Sequence, residues 1–131
     1  MTPTGMTPVV MLGMPVAEEI DARVRAAVRE LTETHKLVPT LAIVLVGSNP
    51  ASERYVKKKI EACARLQMRA EVKAFSPDIG ADDLVGEVTR LSRSPDVHGI
   101  LVQLPLPRHI EEHAAAATNP SKRPDFNAII I

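Results

Sequence analysis

Apolar residues recur at three- and four-residue steps from Val16 through Ile20, Val24, Ala27, Val28 and Leu31, the spacing of one helical face. Pro15 opens this helix. Glu18, Glu19 and Asp21 fill its first turns and Arg25 and Arg29 follow, an order the helix dipole favours. The pattern runs to about His35. Thr40 to Val46 is a nearly continuous aliphatic run closed by Gly47, which predicts a strand buried on both faces. Asn49 is a good N-cap with Pro50 at the first helical position, so a second helix is expected from about Ala51 to Met68. Arg69 to Phe75 alternates as a strand does, and Ser76-Pro77-Asp78 ends it. A third helix is expected from near Asp82, burying Leu84, Val85, Val88 and Leu91 before Pro95 and Asp96 close it. His98 to Leu104 reads as a third core strand, stopped by Pro105 and Pro107. Residues 1–8 read as a flexible tail, and Val9 to Leu12 as a further short strand.

Strand, helix, strand, helix, strand is the repeating unit of a parallel sheet with right-handed crossovers. The expected class is α/β, a three-layer α/β/α domain with a mainly parallel sheet over residues 9–110. Ligands of such sheets sit at the carboxyl ends of the strands. That rule singles out Gly47 to Lys59 and Gln103 to Pro107. Residues 111–131 read differently. Glu111 to Thr118 has helical character with an alanine run, Pro120 to Asn127 is polar, and Ala128 to Ile131 ends on isoleucines that either add a strand or mark a truncation.

With 131 residues, one domain is the natural expectation. The core must be aliphatic, because aromatic residues make up 2% of the chain and Tyr55 is the sole Tyr. Sixteen basic and sixteen acidic residues balance to zero, which argues against nucleic-acid or membrane-surface binding. No apolar run approaches a membrane span, and the proline-broken N-terminus does not read as a signal peptide. A lone cysteine, Cys63, suits a reducing, cytoplasmic compartment.

Tyr55 and Lys59 stand four apart on the second helix, so both project from one face about a turn beyond the strand-end loop. An amine serves as a general acid or base where dry or cationic surroundings lower its pKa, and Lys57 and Lys58 are adjacent cations. From spacing alone, most such pairs are a partly buried ring beside a solvated ammonium. Gln103 is a polar amide in an aliphatic strand; it needs partners, either within the fold or on a ligand. Cys63 reads as apolar filler. His109 and His113 are four apart without the zinc-protease pattern or a third ligand, so no metal site is expected. His35 and His98 read as incidental. Gly47-Ser48-Asn49-Pro50 lacks the glycines of a nucleotide loop.

Taken together, Val46-Gly47-Ser48-Asn49-Pro50-Ala51-Ser52 with Tyr55-Val56-Lys57-Lys58-Lys59 resembles the first signature of the methylenetetrahydrofolate dehydrogenase/cyclohydrolases. His98-Gly99-Ile100-Leu101-Val102-Gln103-Leu104-Pro105-Leu106-Pro107 resembles the second, and Gly13 to Ile20 is similar to the family's opening segment. The resemblance spans about residues 9 to 110. It implies a folate-binding catalytic domain of one-carbon metabolism, ordinarily followed by a dinucleotide-binding domain that carries NADP. It implies that Lys59 is the catalytic lysine of methenyltetrahydrofolate hydrolysis, that Tyr55 stacks on the folate ring, that Gln103 hydrogen-bonds Lys59, and that Ser52 supports the loop. Asp125 matches the family's pterin-binding acid within a weak echo of its third motif, where Arg123 and Phe126 replace an acid and a glycine. Leu12 and Met14 likewise replace the usual acid and lysine. The expected partners are a folate, a separate dinucleotide-binding domain and a second copy of the chain. No NADP site is expected in this chain itself, so hydride transfer would need that other domain. The rival expectations are a folate-binding half that does not turn over and an inactive remnant.

Overall fold

The computed structural model describes residues 5, 7 and 9–110. Within them the chain runs α1 (Gly13–His35), β1 (Thr40–Val46), α2 (Pro50–Arg65), β2 (Arg69–Phe75), α3 (Ala81–Ser92) and β3 (Gly99–Val102). The three strands form one parallel sheet in the order β2-β1-β3. The protein is therefore α/β, with helices on both faces of the sheet.

β1 is central because it is the most aliphatic strand, and its alternating side chains serve two cores. Ala42, Val44 and Val46 point to one face, where they meet Leu84, Val88 and Leu91 of α3 and Ile100 and Val102 of β3. Ile43 points to the other face and packs with Val56 of α2 and Leu101. The α2 N-terminus forms as its sequence dictates. Asn49 Oδ1 accepts the amides of Ala51 and Ser52, and Pro50 takes the first helical position, where no amide partner is needed.

Several boundaries differ from those the pattern predicts. α1 begins at Gly13, because Pro15 falls in the first turn, where a missing N–H costs nothing. Lys36 ends it in the left-handed region (φ 55°). α2 stops at Arg65 rather than Met68, since Gln67 also adopts a positive φ of 62°. β3 covers Gly99–Val102, shorter than expected: the Gln103 amide still donates to Val44, but the Leu104–Pro105 bond is cis and the chain leaves the sheet. α3 starts at Ala81 behind a Gly80 cap. Val9 to Leu12 is not a strand. Among the described residues they have no neighbouring strand to pair with, and all are exposed. The stripe of α1 is also less buried than its periodicity suggests. Val28 is buried, whereas Val16 and Ile20 are exposed. The expected tail at residues 1–8 falls mostly outside the described residues, and the expected helix and strand beyond Ile110 fall wholly outside them.

Candidate functional site

At the carboxyl end of the sheet, two segments converge. β1 ends at Val46, and Gly47 turns the chain in the left-handed region (φ 79°) toward α2. A side chain here would be strained and would crowd Pro77, since a Cβ would lie 3.3 Å from that ring's Cβ. β3 ends next to β1, bringing Gln103 beside the same turn.

α2 then sorts its residues by angle. Ser52, Val56 and Cys63 face inward and are buried. Lys59 lies on the flank of that stripe, half-buried, with Tyr55 one turn before it. Lys59 Nζ donates to Gln103 Oε1 at 2.6 Å, across 44 residues of sequence. The other end of the Gln103 amide is also held: its Nε2 donates to the Leu104 carbonyl at 2.9 Å. Ser52 Oγ donates to that carbonyl as well, at 3.4 Å. Gln103 is 7% exposed and Ser52 3%, so two polar side chains are buried here and both are hydrogen-bonded.

The arrangement fixes the orientation of an amide. With its NH₂ committed to Leu104, Gln103 must present its oxygen to the amine. Tyr55 does the opposite of packing: it is 56% exposed, although it stands beside a sheet edge. An exposed ring next to a half-buried amine leaves both reachable by a ligand lying over the carboxyl edge.

The structure thus brings Ser52, Tyr55, Lys59 and Gln103 together. Asp125 lies outside the described residues, as does His113. His109 Nε2 lies 2.7 Å from the Ile79 carbonyl, so that nitrogen donates. His98 is not incidental. Its Nδ1 accepts the Thr40 amide at 3.0 Å and so holds the start of β1. Sequence reasoning missed the Leu104 carbonyl, a main-chain acceptor common to Gln103 and Ser52. Main-chain groups carry no residue-type signal, and the prolines after it are the sole hint.

Burial pushes the Cys63 thiol above its ordinary range, which disfavours the thiolate a nucleophile needs. The turn before α2 is not built as a dinucleotide loop. The turn before α2 has a single glycine, and the Asn49 carboxamide already occupies the Ala51 and Ser52 amides that would otherwise face a phosphate.

Comparison with known proteins gives a consistent picture. The family model for the tetrahydrofolate dehydrogenase/cyclohydrolase catalytic domain matches residues 11–123. A bifunctional protein FolD 2 of Arabidopsis thaliana is 42% identical over 114 residues, covering 86% of this chain and 38% of the relative. The bifunctional protein FolD of Methanococcoides burtonii is 39% identical, covering 86% and 40%. Among solved structures, the methylenetetrahydrofolate dehydrogenase-cyclohydrolase of Trypanosoma brucei, described as complexed with NADP cofactor and inhibitor, superposes with a TM-score of 0.75. It is 32% identical over 85% of this chain and 38% of its own. The methylenetetrahydrofolate dehydrogenase of the silkworm Bombyx mori gives a TM-score of 0.76 at 31% identity, over 81% of this chain and 37% of its own. The chain spans about two-fifths of the length of these curated relatives. On the match of its catalytic-domain model to residues 11–123, the chain belongs to the tetrahydrofolate dehydrogenase/cyclohydrolase family.

Proposed function

We propose that this chain carries the folate site of one-carbon metabolism and hydrolyses methenyltetrahydrofolate to formyltetrahydrofolate, with Lys59 as acid and base. The observation that carries this reading is the Lys59–Gln103 hydrogen bond, which holds an amine at the carboxyl edge beside an exposed aromatic ring.

In this reading the pterin or the aminobenzoyl ring of the folate stacks on Tyr55, which sets the methenyl carbon near Lys59. A neutral Lys59 donates one N–H to Gln103 and keeps its lone pair for a proton. Water attacks the methenyl carbon, and Lys59 takes the proton that water gives up, leaving a neutral tetrahedral adduct. Lys59 then returns that proton to the departing ring nitrogen as the carbon–nitrogen bond breaks. The carbon keeps its bond to the other nitrogen as a formyl group. The second proton of the attacking water is released to solvent, matching the loss of the substrate's positive charge. Gln103 and Ser52 act as positioning residues through the Leu104 carbonyl. Asp125 is proposed as a further folate contact on its motif position alone.

Hydride transfer needs a dinucleotide. That half of the family's chemistry is assigned to a dinucleotide-binding domain outside these 131 residues. No described helix is long and apolar enough to cross a membrane. The free, buried Cys63 fits a reducing compartment such as the cytoplasm.

The decay of methenyltetrahydrofolate absorbance with the purified chain and with Lys59→Ala tests this. Turnover by the chain and a loss of about 100-fold or more in the variant is the expected result, the usual worth of one acid–base group. Equal turnover in both would overturn the assignment of Lys59. Saturable folate binding without turnover in either would reduce the chain to a folate-binding module.

A further inference from the structure

The three strands deliver their ends to one edge, and the segments that leave them grip one another. Gly47, leaving β1, donates its amide to the Phe75 carbonyl at the end of β2 and faces Pro77, which a Cβ there would crowd. The segment leaving β2 is closed on itself: the Ile79 amide donates to the Ser76 carbonyl, and the Asp78 amide to Ser76 Oγ. The segment leaving β3 sets the Leu104 carbonyl against Gln103 and Ser52. His109 ties this last segment to the β2 exit. Its Nε2 donates to the Ile79 carbonyl at 2.7 Å, across 30 residues of sequence. The imidazole is exposed, so the bond, not burial, holds it in place.

Four residues lie between Leu104 and His109, Pro105 and Pro107 among them, and each proline fixes its φ. The Ile110 amide closes a turn onto the Pro107 carbonyl at 2.9 Å. A displacement at His109 is therefore passed toward Leu104 rather than absorbed on the way. Leu106 and Ile110 pack on the α3-side core, which sets how deep the segment lies. Apolar packing is non-directional, whereas a hydrogen bond holds its direction within a narrow angle, so the imidazole sets how the segment is turned. That turn matters at Leu104. Its carbonyl accepts from Gln103 Nε2 and Ser52 Oγ, and Gln103 presents its oxygen to Lys59 because its nitrogen is held there.

We propose that His109 is a positioning residue for Lys59: by tying the β3 exit to the Ile79 carbonyl it keeps the Leu104 carbonyl, and through it Gln103 Oε1, aimed at the amine. This rests on the reading of Lys59 as acid and base, and adds a residue that acts through Leu104 and Gln103 rather than on the reacting atoms.

One arm of the test needs no turnover. Gln67 and Gln103 are the two glutamines of the chain, so heteronuclear NMR of the isotope-labelled full chain identifies the Gln103 side-chain amide by its loss in Gln103→Leu, with Gln67 as internal reference. His109→Leu should move the Gln103 amide resonances and leave those of Gln67 in place, with circular dichroism unchanged. His109→Gln offers an N–H donor at similar reach and should return them. It too lacks the imidazole, so their return separates the hydrogen bond from the magnetic effect of the ring. In the second arm, kcat for methenyltetrahydrofolate hydrolysis should fall about threefold in His109→Leu with KM little changed, and His109→Gln should recover it. Adding His109→Leu to Gln103→Leu should cost nothing further, because both act along one path. Gln103 resonances that stay in place in folded His109→Leu, a His109→Gln that behaves as His109→Leu does, or a kcat loss as large without Gln103 as with it would each overturn the proposal. If the unsubstituted chain shows no turnover, the reading of Lys59 as acid and base fails, and the amide resonances alone decide whether His109 positions Gln103.

Discussion

The two faces of the sheet are unequal. Among the described residues, ten buried apolar residues from Ala42 to Ile110 form one cluster on the α3 side, with Phe75, Ile79, Ala81 and Leu106 packed around it. On the α2 side the buried cluster is Ile43, Val56 and Leu101, with Leu41, Leu45 and Ala70 packed around it. The difference follows from how each helix spends its inward positions. α3 gives them to Leu84, Val88 and Leu91, with Ser92 buried at its last residue. α2 gives them to Ser52, Val56 and Cys63, with Lys59 on the flank. One face supplies cohesion and the other carries polar groups that need a firm floor. β1 couples them, since neighbouring residues of one strand face opposite sides. A polar site can therefore stand on a thin layer, provided the layer beneath is well packed.

The strongest way to break this comparison is to empty the α3 side. Leu84 is fully buried, so Leu84→Ala should cost about 2–5 kcal/mol in urea unfolding, and weaken the site only through loss of the fold. Val56→Ala removes two methyl groups from the thinner side and should cost roughly 1–2 kcal/mol. If Val56→Ala costs as much as Leu84→Ala, the two faces are energetically equivalent and the comparison fails. Gln103→Leu sharpens the contrast from the functional side. It keeps the volume but removes the acceptor of Lys59 and should lower turnover about tenfold, the worth of one hydrogen bond of ~1.5 kcal/mol, while the unfolding midpoint moves little. Asn49→Ala removes the α2 cap and should cost about 1 kcal/mol.

The legible parts of this molecule are those where a local rule and the tertiary structure ask for the same residue. Thr40–Val46 and Arg69–Phe75 are readable to the residue, because burial on both faces and alternation leave few alternatives. Asn49-Pro50 is readable because cap chemistry is local. Val9 to Leu12 misleads, because β-character without a neighbouring strand makes no strand. The stripe of α1 misleads in part, because periodicity shows which face is apolar and not whether anything covers it. At the site, counting alone places Tyr55 and Lys59 on one helical face. Their meeting with Gln103, 44 residues beyond Lys59, depends on β3 lying next to β1. Short motifs make that pairing readable through a family resemblance, which spacing alone does not provide. The Leu104 carbonyl is beyond either route.

The smallest expected effect concerns Cys63, the inward residue that α2 buries without any chemistry attached. It is 6% exposed, and burial raises its pKa because the thiolate would lose solvation. In the unfolded chain the thiol ionises in its ordinary range. Below that range both states are protonated and the residue leaves stability independent of pH. Above it, the unfolded state ionises first, so stability falls as pH rises through the unfolded value and on toward the raised folded one. Cys63→Ala should remove this alkaline slope while lowering stability modestly at neutral pH, through the lost sulfur packing. Unfolding midpoints of both proteins across the alkaline range decide it. Parallel curves would mean that the α2 face lets water reach Cys63, and that the thin side of the sheet is more open than its buried residues indicate.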